Sequence, residues 1–271
     1  MRIGFALFFL VAAAIFVIIP KVTGNSQDRI TVAAEKADEK KALEGAAQET
    51  VAYFTKYKEN LKADIKIVAV NSSASYSTLV NKYKLSESQA ATVSSGRGFY
   101  TNNTIFINTQ MAAGSIVQKA TVAHELTHHY QKQLAKTEYS LLWLQEGMAD
   151  VTAGNVLEDT GQSAPQLISV ARLNLPTQLT LSQLRSDADW LQAAGQYGAE
   201  AVYIYSSMAV RELVDRNGYG SLIAFHHELG RTQDIEKSFK SAFRVELEEF
   251  EKKFTQRVNN PKSQLEYRKF Y

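Results

Sequence analysis

The sequence predicts an α+β fold: a mainly helical bundle beside a small antiparallel sheet. Two observations predict it. From Thr78 onward most of the chain outside the hairpin repeats its apolar residues at helical spacing. Short runs rich in β-branched residues, Ile65–Val70 and the pair Gly96–Tyr100 and Thr104–Asn108, cluster in one stretch and read as strands. There is no cysteine, so neither disulfides nor thiolates hold the fold together. The 271 residues suffice for one good-sized domain with appendages, or at most two. A formal charge of +2, without a basic patch interleaved with aromatics, gives no nucleic-acid footprint.

The N-terminus opens with an uncharged apolar run, Ile3–Ile19, between Arg2 and Pro20-Lys21. Its 17 residues stand at the short end for a bilayer span and are slightly long for the core of a cleaved signal. No clear small-residue cleavage site follows, so an uncleaved signal anchor is favoured, with a signal peptide as the alternative. Either reading places the rest of the chain outside the cytoplasm. Asn25–Leu61 is rich in Ala, Glu and Lys, which predicts a long helix. Its early alanines (Ala33, Ala34, Ala37, Ala42) read as a solvated stalk, while Val51, Phe54, Tyr57 and Leu61 dock on the domain. A coiled-coil dimer competes, but its heptad is weak. The expected organisation is a membrane segment over 1–21, a helical stalk over 22–61, a domain over 62–258 and a polar tail over 259–271.

After the strand Ile65–Val70 comes a Ser/Asn-rich loop, Asn71–Ser77. Mixed helical signals over Thr78–Ser95 follow, with Leu79, Tyr83 and Leu85 as packing residues. Thr101-Asn102-Asn103 then turns a β-hairpin. Gly114 precedes the next helix, with Ser115 as its candidate N-cap.

That helix carries His124-Glu125-Leu126-Thr127-His128, an H-E-x-x-H pattern in an apolar, breaker-free run. Residues four apart stand one turn above each other, so both imidazoles can reach one tetrahedral Zn²⁺. Glu125 is positioned to reach a water on the same ion and act as general base. Its flanks Val117, Ala120, Val122, Ala123 and Leu126 argue for burial, where ionisable groups are rare unless paired or metal-bound. Catalytic zinc needs a third protein ligand. Lys136–Ser140 allows a return, and a second helix from Leu141 to about Asn155 brings Glu146, 18 residues past His128. Asp150 shares its helical face and can accept a hydrogen bond from a ligand histidine. Gly147 and Ala149 point to close packing.

Gly161–Thr180, with Pro165 and Pro176, reads as loop that could wall a cleft, and Leu181–Leu191 as a short helix. Gln196–Arg216 reads as a long helix stopped by Asn217-Gly218-Tyr219-Gly220. His226-His227-Glu228 lacks chelating spacing, since adjacent helical residues point about 100° apart. These are read as surface or helix-end residues, with His226 an outside candidate for oxyanion donor. Asp234–Phe243 and Glu246–Val258 are amphipathic helices with Ile235, Phe239, Phe243, Leu247 and Phe250 inward.

H-E-L-T-H followed by W-L-Q-E-G-M-A-D resembles the gluzincin zinc metallopeptidases, in particular the peptidase MA-like domains, over roughly residues 65–254. The resemblance implies a zincin-like domain in which His124, His128 and Glu146 bind zinc, Glu125 is the base, and Asp150 is the supporting acid. It also implies that the strand before the first metal helix edges the cleft and pairs with an extended substrate. A tyrosine on a later helix would stabilise the oxyanion. Tyr203 fits that place best, with Tyr205 and Tyr197 behind it.

The expected function is therefore membrane-tethered, zinc-dependent hydrolysis of peptide or protein substrates outside the cytoplasm. An endopeptidase is favoured, because no group for a free N-terminal amine is visible. The alternative is a catalytically silent, membrane-anchored scaffold with a metallopeptidase-like fold.

Overall fold

The computed structural model describes residues 29–71, 76–162 and 175–260. The expected membrane segment over 1–21, the centre of the expected loop over 161–180 and most of the tail lie outside these residues. Among the described residues no helix is long and apolar enough to cross a membrane.

The fold is α+β and mainly helical, but its sheet is mixed rather than antiparallel. Strand order is β1-β2-β4-β3, built from β1 (Ile30–Ala33), β2 (Ile65–Val70), β3 (Gly98–Thr101) and β4 (Thr104–Asn108). β1 and β2 are parallel, as are β2 and β4, and only the hairpin β3–β4 is antiparallel. The expectation failed because β1 lay hidden in the presumed stalk. A parallel neighbour also needs a crossover, which a strand-by-strand reading does not reveal. Asn102 and Asn103 turn the hairpin with positive φ, as two-residue turns demand.

Within the presumed stalk, Ala33, Ala37 and Ala42 are exposed and Val51, Phe54 and Leu61 are buried, as expected, but the stretch is not one continuous helix. α1 (Ala37–Thr55) is the crossover from β1 to β2, not a solvated extension. Leu43, Ala46, Ala47, Thr50, Val51 and Phe54 form one buried stripe at helical spacing. Alanine registers weakly as hydrophobic, yet its small side chain lets α1 lie close against its neighbour α4 (Ser115–Ala135). Phe54 stacks on Tyr130 of α4 with ring centres 3.8 Å apart. Gly45 does not break α1.

The sheet is covered on both faces. Ile65, Ile67, Ile105 and Ile107 face the main core with α1 and α4, while Val68, Val70 and Phe106 face a smaller cluster. That cluster is closed by Leu79, Leu85, Ala90 and Val93 on and between α2 (Tyr76–Tyr83) and α3 (Glu87–Ser95). The alternation along β4 is the period of two that a strand dictates.

α4 follows Gly114, whose φ of 93° sets the entry, so the cap is Gly114 and not Ser115. α5 (Leu142–Asp159) packs antiparallel-fashion after the short return and has no side-chain cap. Its first free N–H, that of Leu142, is taken by the Arg185 carbonyl at 2.9 Å. The short helix expected over 181–191 divides into a 3-10 turn, Leu181–Leu184, and α6 (Asp187–Tyr197), capped by Ser186. The long helix expected from Gln196 starts instead at α7 (Ala199–Asn217), because Gly198 takes a φ of 91°. α8 (Gly220–Thr232), α9 (Ile235–Phe243) and α10 (Leu247–Val258) complete the bundle.

A part-buried ion pair joins α10 to the start of α5. Glu251 of α10 accepts from Trp143 Nε1 of α5 at 2.9 Å and from Arg185 Nη2 at 2.6 Å. Because Arg185 also holds the start of α5 through its carbonyl, this staple braces the helix that carries Glu146. Glu251→Ala strands the indole N–H and the guanidinium. It is expected to cost about 1–3 kcal/mol of stability, chiefly from the buried indole N–H, read as a lower urea midpoint at unchanged m-value.

Candidate metal centre

α4 and α5 lie against each other, and α5 lies in turn against α7. The second contact depends on Gly147. A Cβ there would stand 2.5 Å from the Ser206 carbonyl oxygen, so only glycine lets the α7 backbone come this close. The approach happens one residue from Glu146. It therefore carries Tyr203 and Ser207 of α7 toward the carboxylates of α5.

His124, His128 and Glu146 converge. The two Nε2 atoms are 3.1 Å apart, and Glu146 Oε2 is 3.2 Å from His124 Nε2 and 3.7 Å from His128 Nε2. The other nitrogen of each ring is already engaged. His124 Nδ1–H donates to Asp150 Oδ1 at 2.9 Å, and His128 Nδ1–H donates to Gln131 Oε1 at 2.9 Å. In the neutral rings both Nε2 atoms therefore present lone pairs to each other and to a carboxylate oxygen. Glu146 Oε2 is buried and has no hydrogen-bond partner. With both rings neutral, these three acceptors need a cation between them, a proton on one ring or a metal ion.

The chemistry and size of the triangle fit zinc. With bonds of about 2.0–2.1 Å, the edge of a tetrahedral site is about 3.3–3.4 Å, close to the three separations seen. The electrostatics agree. Burial works against charge on His124, yet the Asp150 and Glu146 carboxylates outweigh it and lift that ring well above the ordinary imidazole range. His128 is lifted too, against burial, chiefly by Glu146. Burial would push Glu146 up, but the two histidines draw it far below the usual carboxylate range. The cluster is built to hold positive charge.

Glu125 stands beside this triangle, buried on α4. Burial pushes its carboxyl up, opposed by the pull of His124 and His128. Its wall on one side is β3. A Cβ on Gly98 would come within 2.6 Å of Glu125 Oε1, so the carboxylate rests against the bare backbone of the sheet's edge strand. Tyr203 lies across the site, its ring centre 6.3 Å from that of His124. The charge on Glu146, followed by burial, keeps its phenol protonated far above neutrality. Trp190 of α6 packs edge-on against it with centres 5.1 Å apart.

The remaining tyrosine and histidine candidates lie elsewhere. Tyr205 is fully buried toward α10, with its hydroxyl 3.3 Å from Thr255 Oγ1. Tyr197 is partly buried against the main core at the end of α6. His226 is no surface residue: it is fully buried, donates Nδ1–H to the Leu222 carbonyl at 2.7 Å and accepts from Tyr139. Burial holds it down at about 4. An amphipathic helix read alone did not show that its polar face meets the α4–α5 return. His227 is partly exposed and pairs with Glu59 at 2.7 Å. His129 turns away from the triangle, toward the Tyr100 hydroxyl of β3 at 3.2 Å.

Three neighbours of the site escaped the sequence reading. Ser207 donates to Asp150 Oδ2 at 2.8 Å and so occupies the second oxygen of the acid that holds His124. Gln131 holds His128, and Gly98 backs Glu125. Only Gln131 left a local signal, its i+3 spacing from His128 on one helix.

No protein-family model matches the chain, and no solved structure matches it. Among curated proteins it is similar to the uncharacterized protein YhcO of Bacillus subtilis (strain 168), at 28% identity over 148 residues. The match takes in 53% of this chain and 42% of that protein, so the chain spans less than half the length of the relative.

Proposed function

We propose that the chain is a zinc-dependent hydrolase of peptide bonds with a zincin-like arrangement, His124, His128 and Glu146 holding the ion. The observation that carries the reading is the convergence of three possible ligand atoms, His124 Nε2, His128 Nε2 and Glu146 Oε2, with the separate carboxylate of Glu125 buried beside them. When bound, zinc supplies Lewis acidity, which acidifies water and polarises a carbonyl.

The chain's own groups supply the rest. Glu125 takes a proton from the attacking water and passes it to the leaving amine. Burial raises its carboxyl above the usual carboxylate range, the direction that favours a group which must both accept and return a proton. Tyr203 stays protonated and donates toward the oxygen on which negative charge builds. Asp150, itself held by Ser207, fixes the His124 ring with its proton on Nδ1. β3 is an edge strand of the sheet and stands against Glu125, which suits an extended peptide lying along it. The apolar run Ile3–Ile19 supports tethering to a membrane with the rest of the chain outside the cytoplasm.

Metal analysis of the purified protein and digestion of a peptide library, with and without chelator, test this directly. One zinc per chain with chelator-sensitive cleavage is the expected result. Protein purified without chelators that holds no metal and cannot be loaded ends the proposal. Stoichiometric zinc without cleavage of any peptide favours the scaffold reading instead.

A further inference from the structure

His124 and His128 are oriented by different chemistry. His124 leans on a carboxylate, while His128 leans on a neutral amide, Gln131, which is 2% exposed. The amide's orientation follows from its other end. Gln131 Nε2 lies 2.8 Å from the Gln145 carbonyl oxygen, which can only accept. The NH₂ must face that carbonyl, so the oxygen must face His128 Nδ1, and His128 must carry its proton there. Nε2 is then left with the lone pair that a metal needs.

The same side chain spans both metal helices. Gln145 is the residue before Glu146, so one amide joins the ring of a ligand on α4 to the backbone next to a ligand on α5. The link continues. Gln145 Nε2 donates to the Tyr139 carbonyl at 2.7 Å. Tyr139 OH meets His226 Nε2 at 2.7 Å, and since His226 Nδ1–H is committed to Leu222, the phenol is the donor. Each group in the line therefore has a defined donor or acceptor role, running from His128 through the α4–α5 return into α8.

We propose that Gln131 is the positioning residue of the second metal ligand: it holds His128 in the Nδ1–H tautomer and sets its distance from Glu146. The inference rests on the zinc reading and adds to it a residue that touches neither metal nor substrate. Gln131→Leu fills the space but can neither accept nor donate. Gln131→Glu keeps the acceptor for His128, at the cost of setting a second acceptor oxygen against the Gln145 carbonyl, which the carboxyl relieves by shifting or by holding a proton. In a protein that binds zinc, Gln131→Leu is expected to weaken zinc affinity about 10–100-fold in chelator competition, and Gln131→Glu to recover most of that loss. A merely structural amide would show no such rescue.

Long-range ¹H–¹⁵N spectra of the unaltered, zinc-loaded protein need no variant. They should show His128 protonated on Nδ1 and unprotonated on Nε2. The reverse tautomer, or Gln131→Leu binding zinc as tightly as the unaltered protein, overturns the role of Gln131 while leaving the metal centre standing. An unaltered protein that binds no zinc overturns both.

Discussion

Glu125→Gln is expected to leave zinc bound at one per chain and to lower turnover about 10²–10⁴-fold. The two halves of this result come from different features. Retention follows because the carboxylate of Glu125 is not among the three atoms that converge: His124 Nε2, His128 Nε2 and Glu146 Oε2 form the triangle without it. Loss of turnover follows because glutamine keeps the shape of the side chain against Gly98 but cannot take a proton at any working pH. Substrate affinity should change little, so the effect falls on kcat rather than KM. Metal analysis and steady-state kinetics on the same preparation check it. A zinc-loaded Glu125→Gln protein that turns over at the unaltered rate would falsify the assignment of the base.

The second large effect is expected at Glu146→Ala, which should no longer retain zinc through dialysis. Two imidazoles remain, and they cannot close a three-ligand site. The fold itself should survive. In the metal-free protein the charge of Glu146 is balanced by His124 and His128, and both rings can stay neutral once it is removed, so no charge is left buried without a partner at this corner. Stability supplies the readout. Zinc at about 1,000 times its dissociation constant adds about 4 kcal/mol to the native state of a protein that binds it. The unaltered protein should therefore melt at a higher temperature with zinc than without, and Glu146→Ala should melt at one temperature in both conditions. A variant still stabilised by zinc as strongly as the unaltered chain would show that the ligand at this corner is another group.

The parts of the site that share one helix were legible, since helical geometry converts spacing into proximity. His124 and His128 are four apart on α4, as are Glu146 and Asp150 on α5. That the two pairs face each other was an inference from the available chain and the small residues around Glu146. The contact of Gly147 with the Ser206 backbone is the packing that realises it. Tyr203 was chosen among three tyrosines by resemblance alone. The structure separates them by direction: Tyr203 faces His124, Tyr205 faces Thr255 two positions further on, and Tyr197 ends a different helix. Two residues along a helix reverse the face, so the choice rests on the rotation of α7, which no local pattern encodes.

Ala33, Ala37 and Ala42 are exposed, as their composition suggests, but β1 ends at Ala33 and its four residues are too few to show alternation. His226 looked exposed because a histidine on an amphipathic helix usually is. Its burial depends on Tyr139, 87 positions away.

By itself, then, the sequence determined the local chemistry: which residues could bind a metal, the helices that pair them, the hairpin before the first of these, and the absence of any thiol. Tertiary structure alone decided the parallel pairing of β1 and β2, the face that α7 turns to α5, and the partners Ser207, Gln131 and Gly98. The physical reason is range. Helix and hairpin geometry act over three or four residues and leave a periodic trace. Close approach between distant segments is set by the shape of two surfaces, of which the sequence records only the occasional glycine that makes room.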